Sequence, residues 1–353
     1  MTSFRRRKAL FMVLAICLGM LAWQFQSAVA TAQAKTTAAA APQREEIPPD
    51  SDYMYRKDSA AIDAIKAKET DPQRRADALV AWVSGHPKAT RAIAYAAAYY
   101  GEVVSGVLKA GDPQKAVAMI QTFQTAAPAN TTLVPLQMSA YYQAKNWAKA
   151  AEVGEKLYAA NASTGLANDL SGIYLQAGNS EKYLFYAGKV LADVGMEKGY
   201  SIALQIANVH IQKQEMAKAL PLLSQLMTVY GEKVPAGFQE ANWNQTRAFA
   251  FGVMAADSYS KKDLPKAIEL YEKVTRFAPK SEDAWYFIGM AKWQGKDQKG
   301  AIEPFAKAYV IGGKLYSQKA KSNLDQLWKA ENNGSMDGLD AVIAKAKADL
   351  GIG

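Results

Sequence analysis

The sequence predicts an all-α protein built from stacked, antiparallel helix pairs. Half of its 353 residues are hydrophobic, which is ample for a buried core. Alanine is abundant together with leucine, lysine, glutamine and glutamate, all good helix formers, and runs of alternating β-branched residues are almost absent. In addition, small and large side chains recur at a fixed spacing of 34 residues, which indicates an internal repeat rather than one globule.

The repeat is clearest when residues 248–281 are laid over residues 282–315. Small residues coincide (Ala255 with Gly289, Ala267 with Ala301) and so do large ones (Phe251 with Trp285, Tyr271 with Phe305). Small side chains let two helices cross closely, and large ones fill the space between successive pairs. Asp263 and Asp297 fall between the helices of each pair, where a short polar side chain can cap the second helix.

This pattern resembles the tetratricopeptide repeat (TPR), with its large, small, alanine, aromatic and proline positions. The resemblance implies two antiparallel helices per unit, stacked into a right-handed superhelical solenoid. The sequence departs from the family pattern because most units lack the final proline, and Gly313 stands in its place in one of them. The residues predicted to pack the repeats are Ala116, Ala150, Ala255, Ala267, Tyr271, Trp285, Gly289, Ala301 and Phe305.

The same frame extends towards the N-terminus through residues 97–130 and 131–163, and residues 53–87 form a degenerate first hairpin. We therefore predict a TPR-like array of six to seven hairpins over residues 51–314. One spacing is 48 rather than 34 residues, which places an insertion near 229–244. It is either a harmless loop or a functional element.

The C-terminal residues 315–353 lose the 34-residue frame but keep helical spacing. Apolar residues recur at Leu324, Leu327 and Trp328, and again at Leu339, Val342 and Ile343. An array needs such a cover because its last unit has no following unit to bury its apolar face. We predict C-terminal capping helices here.

Residues 1–34 have the three parts of a signal peptide: basic residues, the apolar stretch 9–23, and two A-x-A sites. The chain is therefore expected to be exported, to the periplasm or outside the cell. If the leader is not cleaved, residues 9–23 would anchor the protein in the inner membrane, with the repeats outside the cytoplasm. Residues 35–50, rich in Ala, Thr and Pro, are predicted to form a disordered tether.

The residue types argue against several classes of function. The only cysteine, Cys17, lies in the leader, and the two histidines, His86 and His210, fit structural positions. We find no nucleotide-binding, zinc-binding or nucleophile motif, so we predict a non-enzymatic protein without cofactor or metal. Without residues 1–34 the net charge is only +5, from 38 basic and 33 acidic residues, and no basic run suggests nucleic-acid binding.

The resemblance implies that ligands lie along the concave face, on the first helix of each unit. The positions carried over are Tyr142, Gln143, Gln205, Asn208, Gln212, Tyr259, Tyr286, Met290 and Trp293. Amides and aromatic rings suit a protein or peptide segment, so we predict an exported scaffold or adaptor for envelope or secreted-protein assembly. The alternatives are that the aromatic rings pack against neighbouring helices, and that the protein carries or assembles a glycan or lipid.

Overall fold

The computed structural model describes residues 52–353, so the predicted signal peptide (1–34) and tether (35–50) lie outside the described residues. Residues 52–353 form sixteen α-helices and no strand, which confirms the all-α prediction. The helices follow one another as hairpins with short turns. Seven hairpins precede the last two helices of the chain.

The chain divides into two compact units between Asp193 and Val194. The helices that begin in the N-terminal unit are α1 (Asp52–Lys68), α2 (Pro72–Gly85), α3 (Thr90–Lys109), α4 (Pro113–Ala126), α5 (Val134–Gln143), α6 (Trp147–Ala160), α7 (Thr164–Gln176) and α8 (Ser180–Lys198). Helix α8 runs past the division and is kinked at Gly195, whose φ of +74° suits glycine.

The C-terminal unit contains the remaining eight helices. They are α9 (Tyr200–Gln212), α10 (Met216–Tyr230), α11 (Glu240–Ser260), α12 (Leu264–Phe277), α13 (Glu282–Gln294), α14 (Gln298–Ile311), α15 (Ser317–Glu331) and α16 (Leu339–Asp349).

The turn inside a hairpin has a recurring chemistry. A short polar side chain caps the second helix by accepting a hydrogen bond from the backbone N–H three residues later, at 2.8–3.2 Å. Five of these caps are Asp71, Asp112, Asn146, Asp263 and Asp297. The residue before the cap is left-handed in four of them, with φ between +57° and +82°. The turns therefore end one helix and start the next within a few residues.

The N-terminal unit has a core of alanine, aliphatic and aromatic side chains from α1 to α5. Its largest fully buried side chains include Tyr100 and Phe123, whose ring centroids are 4.8 Å apart. The hydroxyl of Tyr100 donates to the carbonyl of Met119 at 2.8 Å, so burying this ring leaves no unpaired hydroxyl.

Two clusters form the core of the C-terminal unit. The first joins α9 to α13, and the second joins α13 and α14 to α15 and α16. Glu282 at the start of α13 accepts hydrogen bonds from the backbone N–H groups of Tyr316 and Ser317, where α15 begins. One carboxylate thus fixes the position at which the C-terminal helices join the last hairpin.

Candidate functional site

A groove of about 840 Å³ lies in the C-terminal unit between α10, α11 and α12. The connection between α10 and α11 forms one of its walls through Gly231, Glu232 and Lys233. The apolar side chains in it are Ala217, Leu220, Pro221, Met227, Val229, Phe251, Met254 and Leu270. The charged side chains are Glu232, Lys233, Asp257, Lys261, Lys266 and Lys273. A volume of this size, apolar with charged groups around it, is typical of a binding site.

The α10–α11 connection is the insertion near 229–244, and it is held by aromatic rings. Tyr200, Tyr230, Phe238 and Trp243 pack edge to face, with ring centroids 5.6–5.8 Å apart. Trp243 is only 1% exposed. We call these four residues the aromatic clamp.

Hydrogen bonds to one carbonyl reinforce the aromatic clamp. The Nε1 group of Trp243 donates to the carbonyl of Tyr230 at 3.1 Å, and the Nε group of the buried Arg247 donates to the same oxygen at 3.3 Å. That carbonyl is in the last turn of α10, where no intrahelical donor remains. A side chain at Gly231 would overlap the carbonyl of Met227. The insertion therefore has a defined conformation at the groove's wall.

The charges around the groove are predominantly positive. Four lysines and two acids contribute to the lining, a net charge of 4 − 2 = +2. Lys266 and Lys273 both bind Glu269, at 2.7 and 2.9 Å, and hydrogen bonds from these two ammonium groups lower the pKa of Glu269 to about 2. Lys261 binds Asp257 at 2.7 Å. Lys233 is exposed and forms no ion pair within residues 52–353.

Pro221 leaves one backbone carbonyl of the α10 wall without its usual helical hydrogen bond. Because proline has no N–H, the carbonyl of Ala217 lacks the donor that an α-helix normally supplies four residues later. Ala217 and Pro221 both line the groove. The wall can therefore offer a backbone acceptor as well as apolar surface.

None of the nine side chains predicted to bind a partner lines this groove. Tyr286 instead stacks on Tyr316 with centroids 4.6 Å apart, and the Sδ atom of Met290 lies 3.4 Å from the Nδ2 atom of Asn323. Trp293 packs edge to face on Phe305 at 6.1 Å. All three are partly buried against the second cluster of the C-terminal unit. Their placement matches the alternative in which these side chains pack against neighbouring helices.

The predicted amide positions on α9 require a correction. Gln205 and Asn208 are only 6% and 4% exposed, so as placed they are not available to a partner. The reason is that residues 203–209 of α9 are all buried, and the two positions carried over from the family pattern lie within this stretch. Gln212, at the end of the same helix, is exposed.

The other predicted positions keep partial exposure. Gln143 is exposed, and Tyr142 is half-buried with its ring 5.2 Å from that of Trp147. Tyr259 is half-buried, lies 5.2 Å from Phe287 and accepts a hydrogen bond from Gln294. These three positions stay predictions, since no ligand or partner is present.

The residues predicted to pack the repeats lie where helices meet. All five alanines among them have no exposed surface, as does Phe305, and Tyr271 and Gly289 are buried. A Cβ atom at Gly289 would be 2.9 Å from the Phe305 ring. Trp285 is half-buried, and its Nε1 group donates to the carbonyl of Pro279 at 2.8 Å. Capped turns lie 34 residues apart at Asp112 and Asn146 and again at Asp263 and Asp297, and small residues lie at the crossings.

Residues 52–353 form consecutive helix hairpins, the arrangement that the resemblance to tetratricopeptide repeats implies. No protein-family profile matches the chain, and no curated protein matches it. Three solved structures show the kind of likeness found. A TPR protein from Parabacteroides merdae has 12% identity and a TM-score of 0.37, covering 69% of this chain and 96% of its own. The C-terminal part of a TPR repeat-containing protein from Cytophaga hutchinsonii has 17% identity and a TM-score of 0.38, covering 60% and 78%.

The third likeness is to PilF of Pseudomonas aeruginosa, with 12% identity and a TM-score of 0.36, covering 63% of this chain and 94% of its own. At such low identity these likenesses say nothing about the function of this chain.

The described part of the chain offers neither a metal-ion cluster nor a helix that could span a membrane. Within residues 52–353, no group of three or more His, Cys, Asp or Glu side chains could hold a metal ion. None of the helices α1 to α16 is long and apolar enough to cross a membrane. The absence of catalysis stays a prediction.

Proposed function

We propose that this TPR-type protein is an exported scaffold that binds a polypeptide segment in the groove between α10, α11 and α12. The observation that carries the proposal is the groove itself, which is open to solvent and is lined by both apolar and charged side chains. Helical-repeat proteins bury each hairpin only against its neighbours, so an uncovered apolar surface inside the array is available for a partner.

Export and a role in assembling envelope or secreted proteins belong to the same proposal. Their support is the signal-peptide pattern of residues 1–34 together with a cysteine-free body, both read from the sequence. A carrier of glycan or lipid is the competing function. A single acyl chain is better held in an enclosed apolar cavity than in this open groove, and a polypeptide can use both the apolar floor and the charged edges.

The test is affinity capture from the native cell, with the wild-type chain and a groove variant compared by quantitative mass spectrometry. Met254→Glu puts a charge on the groove floor, and we expect this variant to capture no partner above background. Met336→Glu, on a surface methionine outside the groove, is the matched control and should retain it. A partner that is captured equally by all three proteins binds elsewhere, and the pair Tyr286→Ala and Trp293→Ala then tests the predicted concave face.

Export is tested separately by cell fractionation with a C-terminal tag. We expect the protein in the periplasmic, extracellular or membrane fraction, and removal of residues 1–34 should return it to the cytoplasm. Mass measurement of the purified protein then shows whether the leader has been cleaved.

A further inference from the structure

We infer that the occupant of the groove is an amphipathic α-helix with acidic residues along the edges of its apolar face. This inference rests on the proposed function and specifies the partner. It comes from four features of the groove: its size, its apolar floor, its charged edges and the insertion that keeps it open.

The size of the groove fits a short helical segment. Two turns of an α-helix are about 11 Å long and, with small side chains, about 10 Å across, which corresponds to roughly 850 Å³. The groove holds about 840 Å³.

The floor of the groove is suited to the apolar face of a helix. Met227 and Met254 contribute flexible, polarisable side chains that adapt to different partner residues, and Leu220 and Leu270 add aliphatic surface. Helix-in-groove recognition uses such surfaces, with apolar partner residues three and four positions apart.

The edges of the groove select the charge of that helix. Lys266 and Lys273 come from α12, Lys261 directly follows α11, and Lys233 comes from the insertion, so three parts of the chain contribute positive groups to the lining. Two of them share a single glutamate, and Lys233 has no acidic partner in the described residues. A helix with glutamates beside its apolar face would pair with this excess of lysines, whereas a lysine-edged helix would be repelled.

Comparison with the next step of the array shows why the groove is open at this step. Met254 and Asp257 of α11 correspond, 34 residues later, to Ile288 and Ala291 of α13. Ile288 and Ala291 are 1% and 0% exposed, whereas Met254 and Asp257 are both partly exposed and line the groove. The extra residues between α10 and α11 therefore leave repeat positions uncovered that a regular step would bury.

A direct test uses the full chain and fluorescein-labelled model peptides of about 16 residues. Three acidic amphipathic helices with different apolar faces are compared with the same sequences carrying lysine for glutamate, and with shuffled versions. We expect anisotropy titrations to show binding of at least one acidic helix, about tenfold or more above its lysine counterpart. Higher salt should weaken this binding, because the charges lie at exposed edges.

Two charge-reversal variants locate the binding. Lys233→Glu with Lys261→Glu should weaken the acidic helix about tenfold. Lys329→Glu with Lys347→Glu makes the same change in net charge on exposed lysines outside the groove and should change it less than twofold. Met254→Glu should abolish binding, and Met254→Leu should preserve it. Circular dichroism checks that each variant remains folded.

Each outcome bears on one of the two proposals. The acidic-helix inference is overturned, while polypeptide binding stands, if acidic and lysine-edged helices bind with equal affinity. The same holds if the two double variants lose the same amount of affinity for the acidic helix. If no peptide binds, or a fatty acid or a second copy of the chain occupies the groove instead, the inference is likewise overturned. Capture of a native partner that Met254→Glu does not affect overturns the proposed function itself.

Discussion

Two successive steps of the C-terminal unit join their helices in different ways. From α12 to α14 the repeat is regular, and helices meet through Ala267, Gly289 and Ala301, all buried. From α10 to α11 the chain carries the insertion, and the contact consists of the aromatic clamp with hydrogen bonds to one carbonyl. Regular repeats therefore depend on close steric fit, whereas the irregular step depends on large rings and directional polar contacts, and it leaves a groove beside it.

The largest expected effect tests the steric side of this comparison. Ala267→Arg places a large, charged side chain at a position of α12 that has no exposed surface. Overpacking costs about 1–3 kcal/mol and a buried unpaired charge adds several more, so we expect a loss of about 5 kcal/mol in the free energy of unfolding. Urea unfolding followed by circular dichroism measures it. Ala256→Arg, on the exposed side of α11, should cost less than about 0.5 kcal/mol; equal losses would mean that the repeat frame is misplaced.

The next largest effect tests the aromatic clamp. Trp243→Ala removes a ring that is 1% exposed and the donor to the Tyr230 carbonyl, and we expect a loss of about 4 kcal/mol. Trp243→Phe keeps most of the ring contact and removes the donor, so it should cost only about 1–2 kcal/mol. If both variants unfold at the same urea concentration as the wild type, the insertion contributes nothing to stability and is only a loop.

A buried carboxylate without a partner, in the N-terminal unit, extends the comparison to a site that lacks both steric fit and polar contacts. Burial raises the pKa of Asp169 in α7 to about 6, and its carboxylate accepts no hydrogen bond within residues 52–353. The folded state thus binds this proton more tightly than the unfolded chain, whose Asp pKa is about 3.9. Stability should be highest near pH 4, fall as the pH rises to about 6, and stay lower above that.

Asp169→Asn should remove this dependence and stabilise the protein at pH 7 by about 2 kcal/mol. Thermal unfolding measured from pH 4 to pH 8 checks it, with the exposed Glu181→Gln as the control. Parallel pH profiles for wild type and Asp169→Asn would contradict a buried, unpartnered carboxylate.

The smallest effect compares two glycines in helices. Gly289→Ala gains helix propensity but brings a Cβ atom to 2.9 Å from the rigid, buried Phe305 ring, so we expect a net loss of about 1 kcal/mol. Gly188→Ala has no atom within 4 Å of its Cβ and should gain about 0.5–1 kcal/mol. Differential scanning calorimetry should therefore show shifts in opposite directions, and a gain at both sites would mean that the crossing is looser than described.

The sequence was sufficient for the helical hairpins because they follow local rules. The caps at Asp112, Asn146, Asp263 and Asp297 and the small residues at the crossings all depend on residue type and spacing. The 48-residue spacing also marked the insertion correctly as a departure.

The groove could not be predicted, since it arises from residues that a regular step would cover. Met254 and Asp257 have the types expected of an ordinary helix, and only the fold shows that they stay uncovered. Lys261, Lys266 and Lys273 resembled a solvated surface until the structure placed them around one opening. Gln205 and Asn208 show the opposite case, because these positions, carried over from the family pattern, fall in the buried stretch 203–209 of α9. The 48-residue spacing marked the insertion, but neither the insertion nor Pro221 in the preceding helix indicates by itself that a groove forms beside them.

The contact between Glu282 and the start of α15 has a consequence for how this protein can change length. The carboxylate that receives the closing helices belongs to the final hairpin and to no other part of the array. A gene that duplicated residues 248–281 would lengthen the protein internally and still finish in the same way. A unit added after residue 314 would separate Glu282 from the start of α15 and break these two hydrogen bonds.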